Sequence, residues 1–280
     1  MGVLITGAAG FIGSHLVNEC NDVICVDPRN IDMASSDDIE EILESFSIDA
    51  VYHLGAISST TETNTVKIVK NNILLSSSIL EKCIKMSIPF VYASSASVYG
   101  LGSSGFNEDV PTTPLNYYAI SKSTFDQIAL QKIKDNPHAN IVGLRYFNVY
   151  GSGEDHKKDM ASPIHKFLNQ SKEFGVIKLF EGSEKYCRDF VHVSDVVNIT
   201  KEAKSFPSGI YNVGSGTSRS FYDVAKIISE TTGSKILEIP FPQHLIGKYQ
   251  DWTCSDNSKI DKLYPSTRDT LENGIRKVTE

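Results

Sequence analysis

The predicted turn between the first strand and the first helix is Thr6-Gly7-Ala8-Ala9-Gly10-Phe11-Ile12-Gly13, whose glycines have the spacing GxxGxxG. The short apolar run Gly2 to Thr6 precedes this turn, and apolar residues at helical spacing follow it. Glycines permit a tight turn, and the free N–H groups of the helix N-terminus attract a pyrophosphate. The stretch predicts a dinucleotide-binding strand-turn-helix, although an ordinary helix entry can have the same local pattern.

An acidic residue follows the next predicted strand. This strand is Val23 to Val26, and Asp27 comes about 20 residues after the start of the glycine motif. A carboxylate at this place accepts hydrogen bonds from the adenosine ribose diol and repels a 2′-phosphate. Asp27 therefore favours NAD, whereas Arg29 could pair with that phosphate and leaves NADP possible. Leu54-Gly55-Ala56 ends a later strand and would also approach the cofactor.

Short apolar runs alternate with helical patterns through the first half of the chain. Phe90 to Ala93 and Ile141 to Leu144 are such runs, and Asp37 to Phe46 and Thr65 to Met86 have helical periodicity. This alternation predicts an α/β fold, a Rossmann-type doubly wound parallel sheet. The turn-rich sequence after Tyr150 predicts a smaller α/β substrate-binding lobe. We expect the Rossmann domain at 1–150 and about 187–214, and the lobe at 151–186 and 215–280.

The composition excludes several other classes of protein. The chain has 280 residues, of which 40% are hydrophobic, and a formal net charge of −7. No stretch concentrates Lys and Arg, so we expect no nucleic-acid partner. No apolar run reaches the ~18 residues of a membrane span, and no secretory signal is visible. Five cysteines without a CxxC pair suit reduced thiols, so we expect a cytoplasmic protein with no bound metal.

Three side chains form the predicted catalytic group. Tyr118 and Lys122 are four residues apart on a predicted helix, so they share one face. An ammonium and the positive nicotinamide ring would favour the phenolate form of the tyrosine. Ser95 follows the buried run at Phe90, at the edge where such sheets bind ligands. These residues predict oxidation of a sugar hydroxyl, although the Tyr-Lys spacing alone also fits a surface pair and the serine a simple turn.

Together these features resemble the extended short-chain dehydrogenase/reductase family, from Gly2 to about Thr270. Within that family, longer strings resemble the subfamily of ADP-glyceromanno-heptose 6-epimerases, which act on nucleotide sugars. These strings are Gly55 to Glu62, Arg145 to Gly151, His156-Lys157 with Met160 to Ser162, Lys178 to Ser183, Arg188 to Val191, and Ile239 to Pro242 with Tyr249-Gln250.

The resemblance implies roles for many residues. It implies that Lys157 is a second acid/base beside Ser95, Tyr118 and Lys122, and that a homodimer forms through Thr65 to Met86 and Tyr117 to Lys134. It implies a substrate site of Ser95, Asn148, Phe180, Glu181, Gly182, Ser183, Arg188 and Tyr249. The implied cofactor contacts are Gly7, Gly10, Phe11, Ile12, Gly13, Asp27, Arg29, Asp32, Met33, Leu54, Gly55, Ala56, Ser58, Asn72, Tyr118, Lys122 and Val149.

Two positions depart from the heptose subfamily and leave the sugar open. Asp159 and Lys166 stand where that subfamily has a serine and a histidine that contact the substrate. The short stretch between Asp27 and Asp32 omits the lysines that accept the NADP phosphate there, which again favours NAD.

Two alternative functions stay open at this point. One is a 4-epimerase or 4-dehydrogenase of a UDP- or GDP-sugar, and the other is a non-catalytic NAD-binding sensor.

Overall fold

The structure is a computed structural model that describes residues 2–27, 36–102, 105–242 and 250–280. The chain divides into two compact units. The first comprises Met1–Gly100, Pro111–Tyr146 and Val196–Asn212, and the second Leu101–Val110, Phe147–Asp195 and Val213–Glu280.

A six-stranded sheet forms the first unit. Its order is β2-β1-β3-β4-β5-β9, and the pairs β1·β2, β1·β3, β3·β4 and β4·β5 are parallel. Strand burial is nearly continuous because helices cover both faces, and the predicted Rossmann-type α/β class is confirmed. The strands are β1 (Gly2–Thr6), β2 (Val23–Val26), β3 (Ile48–His53), β4 (Phe90–Ser95), β5 (Ile141–Tyr146) and β9 (Gly209–Val213).

One helical run of the first unit differs from its prediction. Thr65 to Met86 has the periodicity of one helix, but the structure divides the run into α3 (Thr65–Ile68), a π-helix (Val69–Leu75) and α4 (Ser76–Met86). The wider π-helical turns bring Asn71 and Asn72 into buried positions. The other helices that begin in this unit, or cross into it, are α1 (Phe11–Glu19), α2 (Ser36–Ser45), α5 (Tyr117–Asp135) and α7 (Val193–Glu202).

Apolar packing holds the sheet of the first unit to its helices. Phe90 and Tyr92 of β4 pack with Phe125 of α5, and the Tyr92 and Phe125 rings meet edge to face with centroids 4.8 Å apart. Leu80 of α4 belongs to the same cluster and is fully buried. This packing fixes α5, which carries two of the predicted catalytic residues, against β4.

The second unit has two small sheets of its own. In the first of them β6 (Asn148–Tyr150) runs parallel to β8 (Cys187–His192), which pairs antiparallel with β10 (Ser218–Ser220). Through this pairing, 147–150 and 187–195 belong to the second unit. The other elements are the parallel pair β7 (Val176–Phe180) and β11 (Lys235–Ile239), with α6 (Pro163–Phe174), α8 (Phe221–Thr232), α9 (Ser258–Asp261) and α10 (Leu271–Thr279).

Within the described ranges no helix combines the length and the apolar character that crossing a membrane requires. All five cysteines are free thiols.

Candidate active site

The glycine-rich turn joins β1 to α1 through close backbone contacts. Gly7 has φ +71°, and a Cβ on it would lie 2.6 Å from the Gly55 nitrogen. A Cβ on Gly13 would overlap the Gly7 carbonyl oxygen. Gly10 is the N-cap of α1 and provides no side-chain cap, so the first N–H groups of the helix stay available to a ligand. This turn fits the pyrophosphate of a dinucleotide.

Asp27 lies directly after β2 and contacts the same turn. Its Oδ2 accepts a hydrogen bond of 2.9 Å from the Ala9 N–H, and the residue is almost fully buried. The bond fixes the carboxylate beside the glycines, where a ribose diol could donate to it. Gly7, Val26 and Gly55, among others, line an adjoining groove.

Asn72 organises the chain that follows β3. Its Oδ1 accepts from the Ile57 N–H at 2.8 Å, and its Nδ2 donates to the Ile57 carbonyl and to Ser121 Oγ, both at 3.0 Å. The amide of Asn72 is thus engaged within the protein and positions the backbone of this segment. Leu54, Gly55 and Ala56 are half-buried in the same segment, and Ser58 is exposed.

Three predicted catalytic side chains meet at the carboxyl end of β4. Ser95 is the last residue of that strand and hydrogen-bonds the phenol of Tyr118. Asn116 caps α5 by accepting from the Ala119 N–H at 2.9 Å, so Tyr118 stands in the first helical turn. Lys122 lies one turn further, donates to the Ala93 carbonyl at 2.7 Å, and holds its Nζ 6.0 Å from the centre of the Tyr118 ring.

Burial controls the protonation of this group. It raises the pKa of Tyr118, and the hydrogen bond with Ser95 acts against that rise. It lowers the pKa of Lys122 to about 8, and the charge of Asp126 acts against that fall. In the protein alone, burial therefore outweighs the expected effect of the lysine on the tyrosine.

Asp126 and Arg145 form a buried ion pair near the catalytic group, and the sequence did not predict it. Asp126 Oδ2 accepts from Arg145 Nε at 2.9 Å, and both side chains are almost completely buried. Tyr92 donates to the other oxygen of Asp126 at 3.0 Å. A carboxylate one helical turn beyond Lys122 was the available signal, because residues four apart share a face.

Lys157 of the second unit is held by a fully buried carboxylate. Its Nζ donates to Glu154 Oε2 at 2.8 Å, and the same oxygen accepts from the Ser162 N–H at 2.7 Å. Ser162 Oγ donates to Glu154 Oε1 at 2.6 Å, and the Gly151 N–H lies 3.3 Å from that oxygen. Glu154 therefore ties both ends of this loop together. Lys158, the next residue after Lys157, has a strained backbone with φ 49° and ψ −119°.

Arg188 and Asp189 do not act as the local pair that their adjacency suggests. Asp189 is fully buried and accepts hydrogen bonds from the Ser215 N–H and hydroxyl and from the Gly216 and Ser255 N–H groups. The guanidinium of Arg188 lies 5.5 Å from the centre of the Phe221 ring, and its Nη1 donates to the Cys187 carbonyl. Asp189 thus organises the surrounding loops.

The remaining predicted positions are spread over the chain. Asn148 and Val149 lie in β6, and Phe180 ends β7 with its ring against Phe241 at 5.6 Å. Lys166 donates to the Asp159 carbonyl at 2.7 Å, so the two positions that depart from the heptose subfamily contact each other. Glu181 is exposed and Gly182 half-exposed, whereas Ser183 and Phe11 are buried and Ile12 is half-buried. Arg29, Asp32, Met33 and Tyr249 lie outside the described residues.

Comparison with known proteins identifies the family. The model of the NAD dependent epimerase/dehydratase family matches residues 3–214. The chain belongs to this family, whose members depend on NAD, and the resemblance inferred from the sequence is confirmed.

Individual relatives are similar over almost their whole length. The ADP-L-glycero-D-manno-heptose-6-epimerase of Alkalilimnicola ehrlichii is 42% identical, over 92% of this chain and 90% of the relative. The solved structure of the Helicobacter pylori enzyme of that name has a TM-score of 0.87 and 29% identity, with coverage of 99% and 94%. The Thermus thermophilus UDP-glucose 4-epimerase in complex with NAD has a TM-score of 0.85 and 25% identity, with coverage of 99% and 97%.

Replacement of Gly7 by alanine should weaken NAD binding at least about tenfold, since the Cβ would collide with Gly55 and strain the turn. Titration with NAD, followed by calorimetry, measures the effect. Gly175→Ala is the matched control, because Gly175 also has a positive φ (+65°) but no atom within 4 Å of its Cβ position. Equal affinities of the two variants would contradict the assignment of the turn to the cofactor.

Proposed function

We propose that the protein inverts one carbinol centre in the sugar of a nucleotide diphosphate sugar, using NAD as a transient hydride acceptor. The observation that carries the proposal is the group of Ser95, Tyr118 and Lys122 at the carboxyl end of β4. The uncapped glycine turn and the buried carboxylate of Asp27 support a dinucleotide in the same unit. Family membership supports the class of reaction.

Each catalytic side chain has a task in this proposal. Tyr118 accepts the proton of the sugar hydroxyl as phenolate, and the Ser95 hydroxyl stabilises the oxygen from which the proton departs. Lys122 favours phenolate by its positive charge. NAD held at the glycine turn beside Asp27 would supply a hydride acceptor for the carbinol carbon and a hydride donor for the opposite face of the carbonyl. Proton and hydride leave together as one oxidation and come back as one reduction, so the net change is stereochemical.

The proposed substrate is ADP-glyceromanno-heptose, with inversion at C6. The relatives with this name and the Lys157 position support it. Return of the hydride to the opposite face needs a second proton donor, and Lys157 has that role in the proposal. Its ion pair with Glu154 at 2.8 Å supports the role, since a fixed ammonium is better oriented than a solvated one.

Further residues are assigned to substrate and cofactor. Arg188 and Tyr249 would contact the diphosphate, because a planar guanidinium can bind two phosphate oxygens. Asn148 would contact the sugar, and Phe180 to Ser183 the nucleotide. NAD is preferred over NADP because the Asp27 carboxylate would repel a 2′-phosphate.

A homodimer is part of the proposal. Large apolar side chains are exposed on the helices named for this contact: Val66 (75%), Leu74 (60%), Tyr117 (50%) and Ile120 (44%). Such a face suits burial against a second copy of the chain. A cytoplasmic location also belongs to the proposal, since the five free cysteines suit a reducing compartment.

Replacement of Tyr118 by phenylalanine should reduce turnover by about 100-fold or more, because the acid/base group is lost. Purified protein and NAD are incubated with ADP-, GDP- and UDP-linked hexoses and heptoses, and stereochemistry is followed by NMR. Tyr117→Phe, at the exposed neighbouring tyrosine, is the control and should retain turnover.

The same panel decides between the substrates. Inversion at C6 of the ADP-heptose supports the proposed substrate, whereas inversion or oxidation at C4 of another sugar keeps the mechanism and replaces the substrate. No reaction across the panel, together with tight NAD binding, would favour a non-catalytic sensor.

Replacement of Lys157 by alanine should lower C6 inversion by about 100-fold or more, since the second proton donor is lost. Lys172→Ala, at an exposed lysine of α6, serves as control. Near-normal C6 inversion in the Lys157 variant would contradict the two-base mechanism.

Replacement of Leu74 by aspartate should convert a dimer to a monomer, because a charge would be buried in the proposed interface. Light scattering measures the mass of both proteins. A monomeric wild-type protein would remove the dimer from the proposal.

A further inference from the structure

The structure contains a buried carboxylate on the face of α5 that carries Tyr118 and Lys122. Asp126 lies one turn beyond Lys122 in α5 and is fully buried. Replacement of buried ion pairs by apolar residues is often neutral or stabilising, so such a pair is weak evidence for a structural role alone. The position of this pair therefore calls for a different explanation.

A chain of hydrogen bonds fixes the orientation of Asp126. Arg145 Nε donates to its Oδ2 at 2.9 Å, and Tyr92 donates to its Oδ1 at 3.0 Å. Arg145 Nη1 donates to the Tyr99 hydroxyl at 2.9 Å, and that hydroxyl donates to Asn212 Oδ1 at 2.7 Å. The members come from α5, β4, β5, β9 and the turn after β4, so the carboxylate cannot rotate away from its place.

The same strand holds both Asp126 and Lys122. Tyr92 and Ala93 are neighbours in β4, and the hydroxyl of Tyr92 binds Asp126 while the carbonyl of Ala93 binds Lys122 Nζ at 2.7 Å. Residues four apart on a helix have their Cβ atoms about 6 Å apart. The lysine and the carboxylate therefore lie one helical turn apart on the face of α5, and each bonds to β4.

The surroundings of Lys122 contain few other charges that could stabilise an ammonium. His53 of β3 interacts with it but is held between Thr6 Oγ1 and Ser76 Oγ, each at 2.7 Å, and burial lowers its pKa to about 3, so it is neutral. Tyr118 is neutral in the protein alone, because burial raises its pKa. Arg145 carries a positive charge and is paired with Asp126.

We propose that Asp126, oriented by Arg145 and Tyr92, is a positioning residue that keeps Lys122 in its charged form beside Tyr118. The inference rests on the proposed roles of Tyr118 and Lys122. Arg145 balances the carboxylate, so the site gains a directed negative charge near the lysine without an isolated buried anion.

The sign of the effect follows from the charges. Burial lowers the pKa of Lys122 to about 8, and Asp126 acts against that fall. Loss of the carboxylate should lower the pKa of Lys122 further. Asp126 also raises the pKa of Tyr118, so its removal makes the tyrosine easier to ionise. A loss of activity at high pH in an Asp126 variant would therefore come from the lysine.

The test measures the ionisation of Lys122 without a substrate. Wild-type protein and Asp126→Asn are acetylated with limiting acetic anhydride across a pH series, and mass spectrometry quantifies the peptide that contains Lys122. We expect the labelling midpoint of the variant to fall by about one pH unit or more. A midpoint within about 0.3 unit of wild type would overturn the inference.

Two further variants separate charge from structure. Tyr92→Phe removes one hydrogen bond that orients Asp126 but keeps the carboxylate, so its midpoint should fall less than that of Asp126→Asn. If Asp126→Asn does not fold, as judged by circular dichroism, the double variant Asp126→Asn with Arg145→Gln replaces it, since no buried charge is left unpaired. It carries the same expectation.

Activity profiles complete the experiment. With an accepted substrate, the alkaline limb of kcat/KM should move to lower pH in Asp126→Asn, whereas a merely structural defect would lower the whole profile without moving the limb. If Tyr118→Phe keeps full turnover, the proposed function fails while the labelling result stands. If Tyr118→Phe is inactive and the midpoint is unmoved, only the present inference fails.

Discussion

Backbone packs directly on backbone where α1 leaves β1, and the cofactor end of the first unit is built around that contact. A side chain at Gly13 would overlap the Gly7 carbonyl, and one at Gly7 would collide with Gly55 after β3. Two strand ends and one helix start therefore meet within van der Waals distance at a single place. The N-cap Gly10 has no side chain, so the first N–H groups of α1 have no side-chain cap. Asp27 is held to this same turn through Ala9.

Each unit has a buried carboxylate, fixed by several hydrogen-bond donors, near a lysine with a proposed catalytic role. In the first unit Asp126 is fixed by a guanidinium and a phenol near Lys122. In the second unit Glu154 is fixed by backbone N–H groups and the hydroxyl of Ser162, and it binds Lys157 directly. A buried carboxylate costs several kcal/mol unless such donors surround it. The donors that satisfy the carboxylate also prevent it from turning, so the lysine beside it acquires a defined position.

The features that can be predicted from the sequence depend on residues that are close together along the chain. The glycine spacing, Asp27 after its strand, and Tyr118 with Lys122 on one helix face all follow from local geometry. Arg145 pairs with Asp126 only because β5 lies beside β4 in the sheet, an order that no local pattern encodes. Likewise, 147–150 belongs to the second unit because β6 pairs with β8, far along the chain. Asp189 follows Arg188 directly in the sequence, but it bonds to residues 26 and 66 positions away.

The π-helix at Val69–Leu75 has a consequence for the evolution of the chain. Each of its turns holds one residue more than an α-helical turn. Loss of a single codon there would allow an uninterrupted α-helix, which is the better local structure, but would remove the wide turn that brings Asn72 into its buried position. Asn72 would leave Ile57, and the loop after β3 would lose its anchor. This stretch is therefore one in which an in-frame deletion would favour the helix and damage the fold.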